Sequence, residues 1–253
     1  SILFSDIAGF SRISEQLDPQ ELVQLLNAYY ETTIRCIHQT DGTIVDIIGD
    51  AIFAIWNAPE VQPDHQERML NAAMMFQKNV TQFNGKQGGL ALQTRVGLHT
   101  GEVVVGNVGS TEHFDYAAIG ENVNLASRLE GLNKQLDTNV LMTRAAIPPA
   151  KGDWLLRPAG FFQFKGMESF VEVVELVVNA GTAEETRAWR EAFATALAEF
   201  GKKNFDAAEA GFMRTLELRP GDGPAKFYLK QIADLRTHPL PEDWNGGVSL
   251  KEK

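Results

Sequence analysis

The sequence predicts an α+β protein: a ferredoxin-like sandwich, with helices on one face of a mainly antiparallel sheet, followed by a small all-α tail. Three observations lead there. Up to about residue 178, short β-branched and aromatic runs are interspersed with longer segments of helical period. The runs are split around the helices in the order of a split βαβ arrangement. From about residue 183 the texture turns alanine-rich and helical.

Residues 2 to 5 read as a short buried strand. Asp18-Pro19-Gln20-Glu21 then combines an N-cap, a proline at the first helical position and an acid three residues after the cap, so a helix starts there. Leu22, Leu25, Leu26, Tyr29, Tyr30, Ile34 and Ile37 give it one apolar face. Residues 43 to 48 and 51 to 56 read as a hairpin with Gly49-Asp50 at its tip. Asp64 and Glu67 repeat the capping pattern before a second helix, which is lined by Met69, Ala73, Phe76, Val80 and Phe83 and broken by Gly88-Gly89. Strand-like runs follow at 92 to 99 and 102 to 108, joined at Thr100-Gly101. A third helix covers about 121 to 136, and further strands fall near 139 to 142, 160 to 164 and 170 to 177. The run Gly101-Glu102-Val103-Val104-Val105-Gly106 reads as core strand.

In the tail, Ala208, Phe212 and Pro220 fall at the spacing of the Ala, Phe and Pro of a tetratricopeptide repeat, with Phe205 and Leu216 at other apolar positions. A lone repeat cannot bury its face unaided, so it should pack on the first domain, on a helix near 224 to 236, or on a partner. The expected division is residues 1 to 180 as one domain and 181 to 253 as a helical, tetratricopeptide-like region.

Composition narrows the function. With 23 Lys and Arg against 33 Asp and Glu, the net charge is -10, which disfavours nucleic acid as a partner. A nucleoside triphosphate stays open, because carboxylate-held divalent metals invert the local field. The single cysteine, Cys36, reads as a buried thiol in a reducing compartment. His38, His65, His99, His113 and His238 show no zinc-ligand spacing. No run of about 18 apolar residues exists, so no membrane contact is expected of this segment. The chain opens directly into a strand without leader or Met, which reads as a fragment of something longer. Its upstream region could anchor the protein in a membrane, while the segment itself is expected in the cytoplasm.

Three features carry chemistry. In Phe4-Ser5-Asp6-Ile7-Ala8-Gly9-Phe10-Ser11 a carboxylate ends a buried strand, a good place for a hard-cation ligand. Taken alone, Asp6 reads more readily as a turn or cap residue. The second is Gly49-Asp50-Ala51, by itself an ordinary turn. If the two strands are neighbours, both carboxylates could face one pair of divalent ions, as two-metal phosphoryl transfer needs. The third is Gly120-Glu121-Asn122-Val123-Asn124-Leu125-Ala126-Ser127-Arg128-Leu129, where Asn124 and Arg128 share a helix face. Alone, Arg128 reads as an exposed salt-bridge partner.

Together these segments resemble the catalytic domain of the class III adenylyl and guanylyl cyclases, over roughly residues 1 to 178. The matching pieces are Phe4 to Phe10, Gly42 to Asp50, Gly97 to Gly109, Gly120 to Arg128 and Lys165-Gly166. The resemblance implies a head-to-tail homodimer with catalytic residues from both chains. By motif, Asp6 and Asp50 would bind two Mg2+ or Mn2+ ions with the Ile7 carbonyl. Asn124 would orient the ribose, Arg128 would stabilise charge on the α-phosphate, and Lys165 would hold the terminal phosphates. The implied reaction is attack of the ribose 3′-oxygen on the α-phosphorus of ATP or GTP, with pyrophosphate leaving.

The match departs from the family at the two base-reading positions. Asp46 stands where adenylyl cyclases carry Lys, and Ala117 where they carry Asp or Thr. An ionised aspartate only accepts hydrogen bonds, and guanine offers N1-H and an amino group, so Asp46 leans toward GTP. Without a second polar contact at Ala117 the discrimination is slight. Two other readings are a catalytically silent, nucleotide-binding regulator and an interaction protein acting through the helical repeat.

Overall fold

The computed structural model describes residues 1–87, 90–110, 112–150, 152–237, 240 and 244–250. Gly88, Gly89 and His238, singled out above, lie outside the described residues. The chain forms two compact units, residues 1–133 with 139–152, and residues 134–138 with 153–253.

The first unit contains β1 (Ile2–Ile7), α1 (Phe10–Gln16), α2 (Pro19–Gln39), β2 (Thr43–Ile48), β3 (Ala51–Ile55), α3 (His65–Gln87), β4 (Thr94–His99), β5 (Val104–Gly109), β6 (Phe114–Ile119), most of α4 (Glu121–Leu136) and β7 (Val140–Thr143). Its main sheet runs β7-β4-β1-β3-β2, with β1 antiparallel to both β3 and β4, and β7 parallel to β4. The capping box opens α2 as its sequence demands. The Asp18 carboxylate accepts from Gln20 N at 2.8 Å and Glu21 N at 2.9 Å, and Glu21 returns a bond to the Asp18 N–H. Met69, Ala73, Phe76, Val80 and Phe83 of α3 are all buried, as their spacing requires, and so is Cys36.

The helices do not share one face of this sheet. Cross-strand partners point the same way. Thr94 on one face meets α2 and α3, through the Tyr29 hydroxyl at 3.1 Å and Gln77 Nε2 on its carbonyl. Gly97 on the other face meets α4 so closely that a Cβ there would lie 2.2 Å from the Ala126 carbonyl oxygen. Ile2, Phe4, Phe53 and Ile55 share that second face with Ala126 and Val123, and Phe4 stacks on its strand partner Phe53 at 4.4 Å. The sheet is therefore covered on both sides, because both sets of its alternating side chains are apolar.

Two further corrections concern the middle of the chain. The 102 to 108 run forms β5, which pairs with β6, a strand absent from the sequence reading, in a separate two-stranded sheet. That run is also not uniformly core. Val103 and Val105 pack against the Ile2–Phe53 cluster, but Val104 is 73% exposed.

The second unit contains β8 (Leu156–Gln163), β9 (Val171–Leu176), α5 (Ala183–Gly201), α6 (Phe205–Leu218), α7 (Gly223–Leu235) and β10 (Gly247–Ser249), with strand order β10-β8-β9. A buried Arg157 binds them together. Its Nε donates to Glu175 of β9 at 2.6 Å, and its Nη1 donates to Asp222, the N-cap of α7, at 2.7 Å. Its guanidinium lies over the rings of Trp189 and Phe193 on α5, at 4.8 and 4.6 Å. No helix among the described residues is long and apolar enough to cross a membrane.

Candidate active site

Asp6 sits one residue before the end of β1, on the same sheet face as α4. Asp50 lies in the turn between β2 and β3. Gly49 makes this turn possible, because its φ of 62° is a left-handed conformation that other residues resist. Since β3 is hydrogen-bonded to β1, the turn comes back beside the end of β1. Asp50 Oδ2 accepts from the Ile7 backbone N–H at 2.9 Å, which brings its carboxyl beside that of Asp6.

Two carboxyls in contact cannot both ionise at little cost. Burial first, then the Asp50 carboxyl beside it and the repulsion of Glu130, push Asp6 up to about 8. Glu130, on α4, is itself pushed up to about 7, chiefly by burial and further by Asp50, against the pull of Arg95. A half-buried acidic pair that must hold a proton to lower its charge is a place where a divalent cation can take the proton's role. Asp6, Asp50 and the Ile7 carbonyl are hard oxygen donors of the kind magnesium and manganese prefer. Among the described residues no group of three or more His, Cys, Asp or Glu is arranged for a metal ion. Two carboxylates plus substrate oxygens is the usual donor set for magnesium at a phosphate.

The other residues named from the sequence are placed as follows. Asn124 is exposed and Arg128 half-buried, four residues apart on α4, and neither is engaged in a hydrogen bond or ion pair among the described residues. Among the described residues Arg128 thus makes no salt bridge of the kind a plain surface arginine would make. The start of α4 is held by a relay in which His99 bonds Thr143 Oγ1 at 2.7 Å and Asn122 Oδ1 at 2.9 Å, while Asn122 Nδ2 donates to the Glu102 carbonyl at 2.8 Å. Asp46 is exposed on β2, just past an irregularity in the β2–β3 pairing, with its Oδ1 on the Ile47 N–H at 2.8 Å. Ala117 is on β6, which pairs with β5 and comes close to β2 without joining its sheet. In the second unit, Lys165 is exposed in the turn after β8, likewise without a described partner.

Sequence reasoning missed Glu130 and Arg95. Arg95 is the cross-strand partner of Asp6 on β4, and Glu130 reaches the site only because α4 crosses Gly97. Neither fact is encoded in local spacing.

Comparison with known proteins gives a consistent picture. A family model described as the adenylate and guanylate cyclase catalytic domain matches residues 1–170. Adenylate cyclase 1 of Rhizobium meliloti is 38% identical over 192 residues, which is 72% of this chain and 29% of that protein. The chain thus spans under a third of the length of this relative, as it does of the Anabaena cylindrica adenylate cyclase, at 36% identity over 58% of the chain and 30% of that protein. Among solved structures, the guanylyl cyclase Cya2 superimposes with a TM-score of 0.63 at 31% identity, covering 72% of this chain and 92% of that one. With a family model matched over more than half its length, the chain belongs to the adenylate and guanylate cyclase catalytic domain family.

Proposed function

We propose that the chain is a nucleotide cyclase, converting a purine nucleoside triphosphate into its 3′,5′-cyclic nucleotide and pyrophosphate for intracellular signalling. The observation that carries this reading is the meeting of Asp6 and Asp50, 44 positions apart in sequence, around the Ile7 peptide. They would hold two Mg2+ or Mn2+ ions together with the Ile7 carbonyl. Those ions would supply acidity to the ribose 3′-hydroxyl and neutralise triphosphate charge. Asn124 orients the ribose, Arg128 offsets charge on the α-phosphate, and Lys165 grips the terminal phosphates. The 3′-oxygen bonds to the α-phosphorus as the bond to pyrophosphate breaks. Arg128 and Lys165, which have no partner among the described residues, fit this task, since an engaged guanidinium or ammonium would have to break a bond first.

The working form is a homodimer with Arg128 and Lys165 acting across the interface. Support comes from the apolar side chains left in solvent on β2 and the β5–β6 pair: Ile47, Ile48, Val104, Val108, Phe114 and Ile119. Exposed apolar side chains of this kind are suited to association with a second copy. Asp46 favours guanine, while Ala117 adds no polar contact, so the preference for GTP over ATP is slight. Residues 181 to 253 act as an accessory region, α5 and α6 forming one tetratricopeptide-like pair completed by α7. The catalytic segment works in the cytoplasm.

Incubating the purified chain with manganese and ATP, GTP, CTP or UTP tests the assignment. A cyclic product from a purine triphosphate is expected. Nucleotide binding without cyclic product from any of the four would contradict it and favour the silent reading.

A further inference from the structure

The hairpin tip that carries Asp50 is closed by the Ile48–Ala51 pair but packs against little beyond it. Ile47 and Ile48 are 40% and 63% exposed, and a Cβ at Gly49 would meet no atom within 4 Å. Outside the hairpin ladder, two bonds hold the tip. One is the Ile7 N–H on the Asp50 carboxylate. The other comes from α2, where the Tyr30 hydroxyl donates to the Gly49 carbonyl oxygen. That oxygen belongs to the peptide leading into Asp50, so the bond fixes the orientation of the plane from which the Asp50 side chain departs. Tyr30 stays close enough to Asp50 for its hydroxyl to be pushed up by burial and then by that carboxylate.

We propose that Tyr30 is a positioning residue for the metal-binding carboxylate pair: by clamping the Gly49 carbonyl it pre-organises Asp50 opposite Asp6. This inference rests on the reading of Asp6 and Asp50 as a divalent-cation site. Its physical content is that an exposed, glycine-containing turn otherwise samples several orientations, and binding a cation must pay to select one. Residues that orient metal ligands typically change metal affinity by about 10- to 100-fold when altered. The bond itself is exposed, so it contributes little to folding.

The test uses the full chain as wild type, Tyr30→Phe and Asp50→Asn. Each is titrated with Mn2+ alone by calorimetry, and each is assayed for cyclisation as a function of Mn2+ concentration. Backbone amide exchange of residues 48 to 51 is followed in parallel. Tyr30→Phe keeps the ring and removes only the hydroxyl. It should bind Mn2+ about 10-fold more weakly than wild type, exchange faster at the turn, keep its melting temperature, and recover most of its rate at high Mn2+. Asp50→Asn should lose the binding altogether. A Tyr30→Phe titration that superimposes on wild type overturns the role of Tyr30 alone. A wild-type titration indistinguishable from that of Asp50→Asn overturns the cation site and the inference with it. A lowered melting temperature with equal rate loss at every Mn2+ concentration would make Tyr30 merely structural.

Discussion

Replacing Arg157 with methionine should unfold much of the second unit's margin of stability. The side chains involved are almost dry: Arg157 is 1% exposed, Glu175 7% and Asp222 0%. Methionine matches the aliphatic stem but leaves two carboxylates buried without their cation. Removing one partner of a buried pair costs about 3 to 5 kcal/mol. Losing the guanidinium from the faces of Trp189 and Phe193 adds about 1 kcal/mol or more. Arg219 offsets only part, since its Nη1 is 3.3 Å from Asp222 and it is a third exposed. The total, about 4 to 6 kcal/mol, is a large share of a domain's usual 5 to 15. Urea unfolding followed by tryptophan fluorescence measures it, with Arg219 still over the Trp189 ring at 4.3 Å. A companion Arg157→Met, Glu175→Leu variant should be less damaged than the single change, because one orphan charge is gone. A loss below about 1 kcal/mol in Arg157→Met, or a double variant worse than the single one, would refute the reasoning.

Three further outcomes follow from the site. Because Asp6 is raised from 3.8 to about 8, the metal-free folded protein holds a proton that the unfolded chain releases. Stability should therefore fall as pH rises from about 4 to about 8 and then level off, by about 1 to 3 kcal/mol once solvent screening of a half-buried group is discounted. Glu130 adds in the same direction up to pH about 7, and metal-free melting at pH 5 and pH 9 checks the sign. Gly97→Ala would place a methyl 2.2 Å from the Ala126 carbonyl and 2.3 Å from Glu130 N, forcing α4 off the sheet. A displacement of that size at Asn124 and Arg128 should lower turnover about 100-fold while nucleotide binding falls less, as separate kcat and KM measurements would show. The double change Asp46→Lys, Ala117→Thr should move the ratio of kcat/KM values toward ATP, and an unmoved ratio would mean those side chains do not touch the base.

Much of this was legible from local chemistry. The capping box at Asp18–Glu21, the Gly49-Asp50 turn and the apolar face of α3 are short-range patterns, and each lies where its spacing requires. The strands that escaped detection are those whose residues deny the usual signal. Strand β8 begins at Leu156 and carries Pro158 next to an irregular step, so only its later residues looked like a strand. Strand β6 is half exposed and pairs outside the main sheet. Helix α1 starts from a left-handed Gly9 with no side-chain cap, so nothing announces it. At the site, the carboxylates could be named from motifs, but their setting depends on long-range register. Asp6 faces Arg95, α4 closes over Gly97, and Tyr30 reaches Gly49 from 19 positions away. The two-sided sheet was missed for the same reason: periodicity tells which residues are apolar, not which partner covers them.

The claim on which the mechanism turns is that the carboxylates of one chain act with the arginine and lysine of another. Asp50→Asn and Arg128→Ala should each be nearly inactive, the arginine variant by about 10³-fold. Co-expressed in equal amounts, half of the dimers would pair the two variants, and each such dimer would hold one intact site and one doubly damaged site. Cyclic nucleotide formation should then recover to about a quarter of the wild-type rate. A mixture no more active than the two variants measured apart would contradict the shared site.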